Sequence, residues 1–209
     1  RDFCRTAADF ATTLGKLRSI GYPAVQLSGV GPIPLPELKA ILDGEGMACC
    51  ATHEDPAQLL AEPARCIEKL QFLHCRHTAY PWPAGVDFGS AAAVESLATR
   101  LNESGQLFHA AGLTLGYHNH ALEFVPFRGA TVLDYLYAAT DAQNLVAEPD
   151  TFWIHYGGGD VVAWCERLAG RMPCMHLKDY GVTLEHKHQF CEVGRGNLDW
   201  RRILAAAEK

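Results

Sequence analysis

The chain repeats one unit along its length: an amphipathic helix, in most repeats a glycine that ends it, then a short apolar strand. Thr6 is placed to cap a helix in which Phe10, Leu14, Leu17 and Ile20 recur at helical spacing; Gly21 stops it, and Ala24 to Leu27 reads as a strand. Leu38, Ile41 and Leu42 then precede Gly44, Gly46 and a strand from Met47 to Thr52, and Leu59 to Leu70 leads to a strand within Phe72 to Ala79. Ser90 to Ala111 is helical and closed by Gly112 before Leu113 to His120, and Val132 to Ala139 precedes a strand at Leu145 to Ala147. Val161 to Leu168, closed by Gly170, precedes Cys174 to Leu177, and a last helix starts near Asp199. Strands that alternate with helices pair in parallel through right-handed crossovers, so the product is an α/β sheet covered by helices.

This reading gives six strands. A complete eight-stranded barrel takes about 250 residues, and here the pattern begins and ends on a helix. The expectation is one domain over residues 1–209: a barrel lacking its first and last strands, or an open six-stranded sheet. The strands at Ala24 to Leu27 and Cys174 to Leu177 would then flank a gap with unpaired backbone, to be covered by flanking residues, a partner chain or a rearranged sheet. A homo-oligomer is one such cover.

Composition narrows the classes. With 48% hydrophobic and 20% charged residues, 209 residues can bury a full core. A net charge of -6 and the lack of any Lys/Arg run interleaved with aromatics leave no phosphate-tracking surface, so no nucleic-acid partner is expected. No apolar run approaches the roughly 20 residues that span a bilayer, so no membrane partner is expected and a cytoplasmic location is the default. None of the eight cysteines falls in a CxxC spacing; buried free thiols are expected rather than disulfides or a thiolate zinc site. No GxGxxG follows a strand and no GxxxxGK[ST] occurs, which argues against dinucleotide and P-loop folds.

Polar residues gather where three strands end: Tyr117-His118-Asn119-His120, Glu148-Pro149-Asp150 and His176-Leu177-Lys178-Asp179. Strand alternation puts His118 with His120, Glu148 with Asp150, and His176 with Lys178, each pair opposite apolar neighbours. If the apolar parity meets the helices, the polar parity faces a shared interior at the strands' carboxyl ends, where parallel α/β folds keep their sites.

Five runs in order resemble the xylose-isomerase-like TIM barrel superfamily, particularly its sugar phosphate isomerase/epimerase group. They are Ile20-Gly21-Tyr22 with Val25-Gln26-Leu27, Gly116 to His120 with Glu123-Phe124, Asp150-Thr151 with Trp153, His176 to Asp179, and Val193 to Gly196 with Leu198-Asp199-Trp200. The resemblance implies a (β/α) TIM-barrel type of fold, apparently incomplete, and a divalent metal held by a Glu, an Asp, a His and a second Glu. Glu123, Asp150 and His176 match the first three; nothing in this chain matches the fourth. Gln26 stands where such proteins often have Glu, as does Arg195 in the glycine motif.

Oxygen and nitrogen ligands suit Mn, Mg, Zn or Co. Such an ion beside a sugar carbonyl stabilises an enediolate while a carboxylate removes the neighbouring proton. Glu123 and Lys178 are the catalytic candidates, Lys178 for a developing oxyanion or else as an ion-pair partner of Asp150 or Glu148. His118 and His120 are candidates for substrate hydroxyls or for substitute ligands, His53 is a further candidate for the substrate pocket, and Trp82 and Trp153 are candidates for stacking on a sugar face, although each of these residue types also serves simply in packing. The expected function is a metal-dependent isomerase or epimerase of a small sugar or polyol. A keto-sugar lyase or dehydratase and a non-catalytic carbohydrate-binding remnant are the alternatives; an abasic-site endonuclease would need a basic groove that the charge balance disfavours.

Overall fold

The structure, a computed structural model, describes residues 3–209. In chain order its elements are α1 (Ala7–Ser19), β1 (Ala24–Leu27), α2 (Leu35–Gly44), β2 (Ala48–His53), α3 (Pro56–Ala61), α4 (Pro63–Phe72), β3 (His77–Tyr80), α5 (Ala91–Ala110), β4 (Thr114–His118), the short strands β5 (Pro126–Phe127) and β6 (Ala130–Thr131), α6 (Val132–Ala138), β7 (Leu145–Glu148), α7 (Thr151–Tyr156), α8 (Val161–Arg167), β8 (Asp179–Val182), β9 (His188–Cys191) and α9 (Trp200–Ala207).

Strands β1, β2, β3, β4 and β7 form one parallel sheet in that order. Helices intervene between them, and the sheet does not close among the described residues: this is an open α/β barrel. The sixth expected strand, at Cys174 to Leu177, is reduced to a single parallel bridge between Asp150 and His176. Pro149 is the cause, since it has no N–H to extend the ladder; its carbonyl still accepts from the His176 N–H at 2.9 Å, after which α7 begins.

Helix ends follow local chemistry. Thr6 and Asp9 form a reciprocal capping box on α1. Gly21 (φ 103°) and Gly112 (φ 74°) take the left-handed conformation that turns the chain out of α1 and α5 toward the next strand. The helix expected over Leu59 to Leu70 is two helices, because Pro63 starts a new one immediately after Glu62.

The apolar parity of the strands packs as expected. Leu115, Tyr117, Leu145 and Ala147 are buried with Leu101, Phe108, Leu133 and Leu136 in one cluster, each large side chain contributing about 1.5–3 kcal/mol. In β2 the register skips Cys50, so Val25 pairs with Cys49 but Gln26 with Ala51. That bulge aligns Gln26 with the parity of Ala51 and His53. All eight cysteines are free thiols.

Past the bridge, β8 and β9 form an antiparallel hairpin where the sequence around His186 to His188 reads as a solvated loop. The buried Asp179 carboxylate anchors the following turn: it accepts from Tyr180 N (2.8 Å), Gly194 N and Gly196 N (2.9 Å each) and Trp200 Nε1 (2.6 Å). A Cβ at Gly196 would collide with the Tyr180 carbonyl. No helix among the described residues is long and apolar enough to cross a membrane.

Candidate metal centre

His53, His118, Glu148 and His176 can each present one donor atom so that all of these atoms lie within 4.8 Å of one another. Backbone register explains the meeting. His118 and Glu148 are direct partners at the ends of β4 and β7, His53 ends β2, and His176 sits on the bridge. Glu148 is the hub: its Oε1 lies 2.6 Å from His53 Nε2, 3.2 Å from His176 Nε2 and 3.6 Å from His118 Nδ1. From β1, Gln26 Nε2 donates to both Glu148 oxygens at 3.1 and 3.0 Å, while Gln26 Oε1 lies 2.6 Å from His176 Nε2. Ser28 Oγ, 3.0 Å from His53 Nδ1, orients that ring with Nε2 toward Glu148.

The electrostatics suit cation binding. Burial, then the neighbouring His176 and His53, push the His118 imidazole down to about 2, so it is neutral. Burial pushes the Glu148 carboxyl up, but the bonds and charge of His176 and His53 outweigh it and hold the group well below the usual carboxylate range. His118 Nδ1 is buried with no hydrogen-bond partner, a state that costs about 1–3 kcal/mol. A divalent ion would satisfy that nitrogen, and three imidazoles beside an ionised carboxylate are a fitting donor set.

Of the residues expected as ligands, His176 belongs to the group, whereas Glu123 and Asp150 lie outside it. Glu123 follows β4 in a single helical turn and is 0% exposed; its oxygens accept from the Tyr117 hydroxyl at 2.9 Å and His120 N at 2.8 Å. Asp150 Oδ1 caps α7 by accepting from Trp153 N at 3.0 Å, while Oδ2 is 4.0 Å from His176 Nδ1 and 3.8 Å from Lys178 Nζ. His118, expected at a substrate hydroxyl or as a substitute ligand, and His53, expected to line the pocket, stand in the donor group itself. Glu148, read only as sharing the inward parity of Asp150 and as an ion-pair partner of Lys178, and Gln26, read only as a departure from the family's Glu, were not assigned as donors or supports. Their signal was present in part: Glu148 is the lone charge ending the apolar run Leu145-Val146-Ala147, in the parity of Asp150.

The remaining candidates line the approach. The His120 ring is 4.9 Å from that of His118, 4.7 Å from Trp82 and 5.3 Å from Trp153. Burial, then Lys178, His53 and His176, push His120 down to about 4, and its Nδ1 is also buried without a partner. Lys178 Nζ lies 4.9 Å from the Trp153 ring centre and 4.8 Å from that of Phe190 on β9. A cavity of about 420 Å³ is lined by Asp150, Met175, His176, Leu177 and Lys178. A larger one of about 740 Å³, lined from α2 and α4, reaches His53 and Glu54.

Polar groups converging at the carboxyl ends of parallel strands in an open barrel define the class: a (β/α) barrel protein with its site at the strand ends. Residues 14–209 match the family model of the xylose isomerase-like TIM barrel, and the chain belongs to that family. No curated protein matches it in sequence. Solved structures share the fold. A sugar phosphate isomerase/epimerase from Parabacteroides distasonis aligns with a TM-score of 0.80 at 19% identity, over 96% of this chain and 77% of that one. A xylose isomerase-like TIM barrel protein from Mycobacterium smegmatis in complex with magnesium gives 0.77 at 13% identity, over 97% and 79%. A probable 3-DHS dehydratase from Bacillus anthracis gives 0.71 at 12% identity, over 95% and 83%.

Proposed function

We propose that this chain carries the centre of a metal-dependent isomerase or epimerase that acts on a small sugar or sugar-like polyol through an enediolate. The observation that carries the reading is the convergence of His53, His118, Glu148 and His176 around a buried, unpartnered imidazole nitrogen. The likeness to a sugar phosphate isomerase/epimerase supports it. A divalent ion (Mn, Mg, Zn or Co), when bound, supplies a Lewis acid that lowers the energy of negative charge on a sugar carbonyl and its neighbouring hydroxyl.

The protein's own groups handle the proton. Asp150 is the proposed base: burial raises its carboxyl, a push that the Trp153 N–H, Lys178 and His176 only partly oppose. A raised carboxylate holds a proton better near neutral pH and so accepts one more readily from carbon. Lys178, 3.8 Å from Asp150 Oδ2, faces the charge that develops when that proton leaves. Trp82 and Trp153 offer faces to the sugar's C–H surface, and His120 contacts hydroxyls. Glu123, expected as a catalytic carboxylate, serves by fixing the His120 backbone. A cytoplasmic location accords with the free thiols.

The test is incubation of the metallated protein with a panel of ketoses in deuterated water. Label should enter at the carbon beside the carbonyl and vanish in Asp150→Asn; no label across the panel would refute the isomerase reading. A second reading, a keto-sugar dehydratase, is favoured by the likeness to the probable dehydratase. It shares the proton abstraction and then loses a β hydroxyl as water, with Lys178 supplying the proton to that leaving group. Mass spectrometry separates the two, since only dehydration lowers the product mass.

A further inference from the structure

We infer that the centre prefers a zinc-like ion to magnesium, and that Gln26 sets this preference by placing a neutral amide where a carboxylate would recruit oxygen-loving ions. The inference rests on the reading of the cluster as a metal centre and names which ion it takes. Three of the four donors are imidazole nitrogens and one is a carboxylate oxygen. Imidazole suits Zn, Co and Ni, whereas magnesium needs near-octahedral oxygen and sheds its waters reluctantly.

Three of the four neighbouring carboxylate oxygens of Glu123 and Asp150 are committed elsewhere. Both oxygens of Glu123 are held by Tyr117 and His120, and one oxygen of Asp150 caps α7. Two of the three separations from Glu148 Oε1, 3.2 Å to His176 Nε2 and 3.6 Å to His118 Nδ1, bracket the edge of a tetrahedron, about 3.3 Å for bonds of about 2.0–2.1 Å; the third, 2.6 Å to His53 Nε2, is a hydrogen bond that an ion would replace. Ser28 holds His53 from behind, as supporting residues do at imidazole-rich sites.

Gln26 is the pivot because its side chain touches the hub and a donor together: Nε2 donates to Glu148 and Oε1 faces His176. Glutamate there would set two carboxylates against each other, an arrangement that only a cation relieves and that a hard ion exploits best. With Gln26, a divalent ion and one carboxylate leave a unit of positive charge at the centre.

The test is titration of metal-stripped protein with Zn²⁺, Mn²⁺ and Mg²⁺ separately, by calorimetry with elemental analysis. The wild type should bind one Zn²⁺, and Gln26→Glu should move the affinity ratio toward Mg²⁺ and Mn²⁺ by at least about tenfold. His118→Glu, which exchanges an imidazole for a carboxylate on another strand, should move it the same way, so the inference stays testable if Gln26→Glu does not fold. Magnesium bound as tightly as zinc by the wild type, or an unchanged ratio in a folded variant, overturns the inference and leaves the metal reading standing. No metal bound by the wild type overturns both.

Discussion

Two of the glutamates buried at the carboxyl end of the sheet have become different things. Glu123, beyond β4, meets only neutral donors, the Tyr117 hydroxyl and the His120 N–H; burial dominates and raises its carboxyl despite those bonds. Glu148, at the end of β7, is also pushed up by burial, but imidazoles on two sides and the Gln26 amide reverse the outcome. Burial of a carboxylate therefore does not define a site. Its partners do: Glu123 is held by donors of the fold, whereas Glu148 meets side chains whose nitrogens can also ligate a cation.

The largest effect that could break this contrast is on metal binding. Glu148→Ala should lower metal affinity by more than about 100-fold, beyond the 10- to 100-fold typical of supporting residues, with the fold retained by circular dichroism. Glu123→Ala should do the reverse: it strands two buried donors and costs about 1–3 kcal/mol for each unsatisfied group, read by urea denaturation, while metal stoichiometry stays unchanged. Glu123→Gln should cost less, since the Tyr117 hydroxyl can turn and accept from the amide.

Why the sequence points toward this region yet does not pick out Glu148 as a donor follows from particular residues. The helix–glycine–strand alternation is a local signal, and Thr6, Gly21, Gly112 and Asp160 do locally what it requires. Parity sufficed to turn His118, Glu148 and His176 inward. It could not choose between Glu148 and Asp150, which share it; the choice depends on Pro149 ending the ladder and α7 drawing Asp150 to its N-terminus. Glu123 rested on resemblance alone, and its hold on Tyr117 is a tertiary fact. The contact between Gln26 and His176 joins residues 150 positions apart, beyond any local pattern. The β8–β9 hairpin was likewise illegible, because Asp179 and Tyr180 are buried side by side and β9 is largely exposed, so neither strand carries a clean alternation.

Smaller effects sharpen the comparison through pH. For Glu123 the folded pKa lies above the unfolded value of about 4.3, so between the two the folded state binds more protons. Stability should fall as pH rises through that window, and Glu123→Gln should remove the fall. Asp179 has the opposite sign. Burial raises its carboxyl, but Trp200, Gly196, Tyr180 and Gly194 outweigh it and depress the folded pKa. Its contribution should be present above the unfolded value of about 3.9 and lost as pH falls through the folded one. Unfolding free energies of the metal-free protein measured across pH 2 to 7 in wild type, Glu123→Gln and Asp179→Asn would reveal both slopes.

The most direct test of the central claim is a crystal structure of the protein soaked with Zn²⁺, with anomalous data collected at the zinc edge. The expected result is one anomalous peak bonded to His53, His118, Glu148 and His176, with Glu123 still held by Tyr117 and His120. A peak bonded to Glu123 and Asp150 instead, or no peak within that cluster at saturating zinc, would contradict the account.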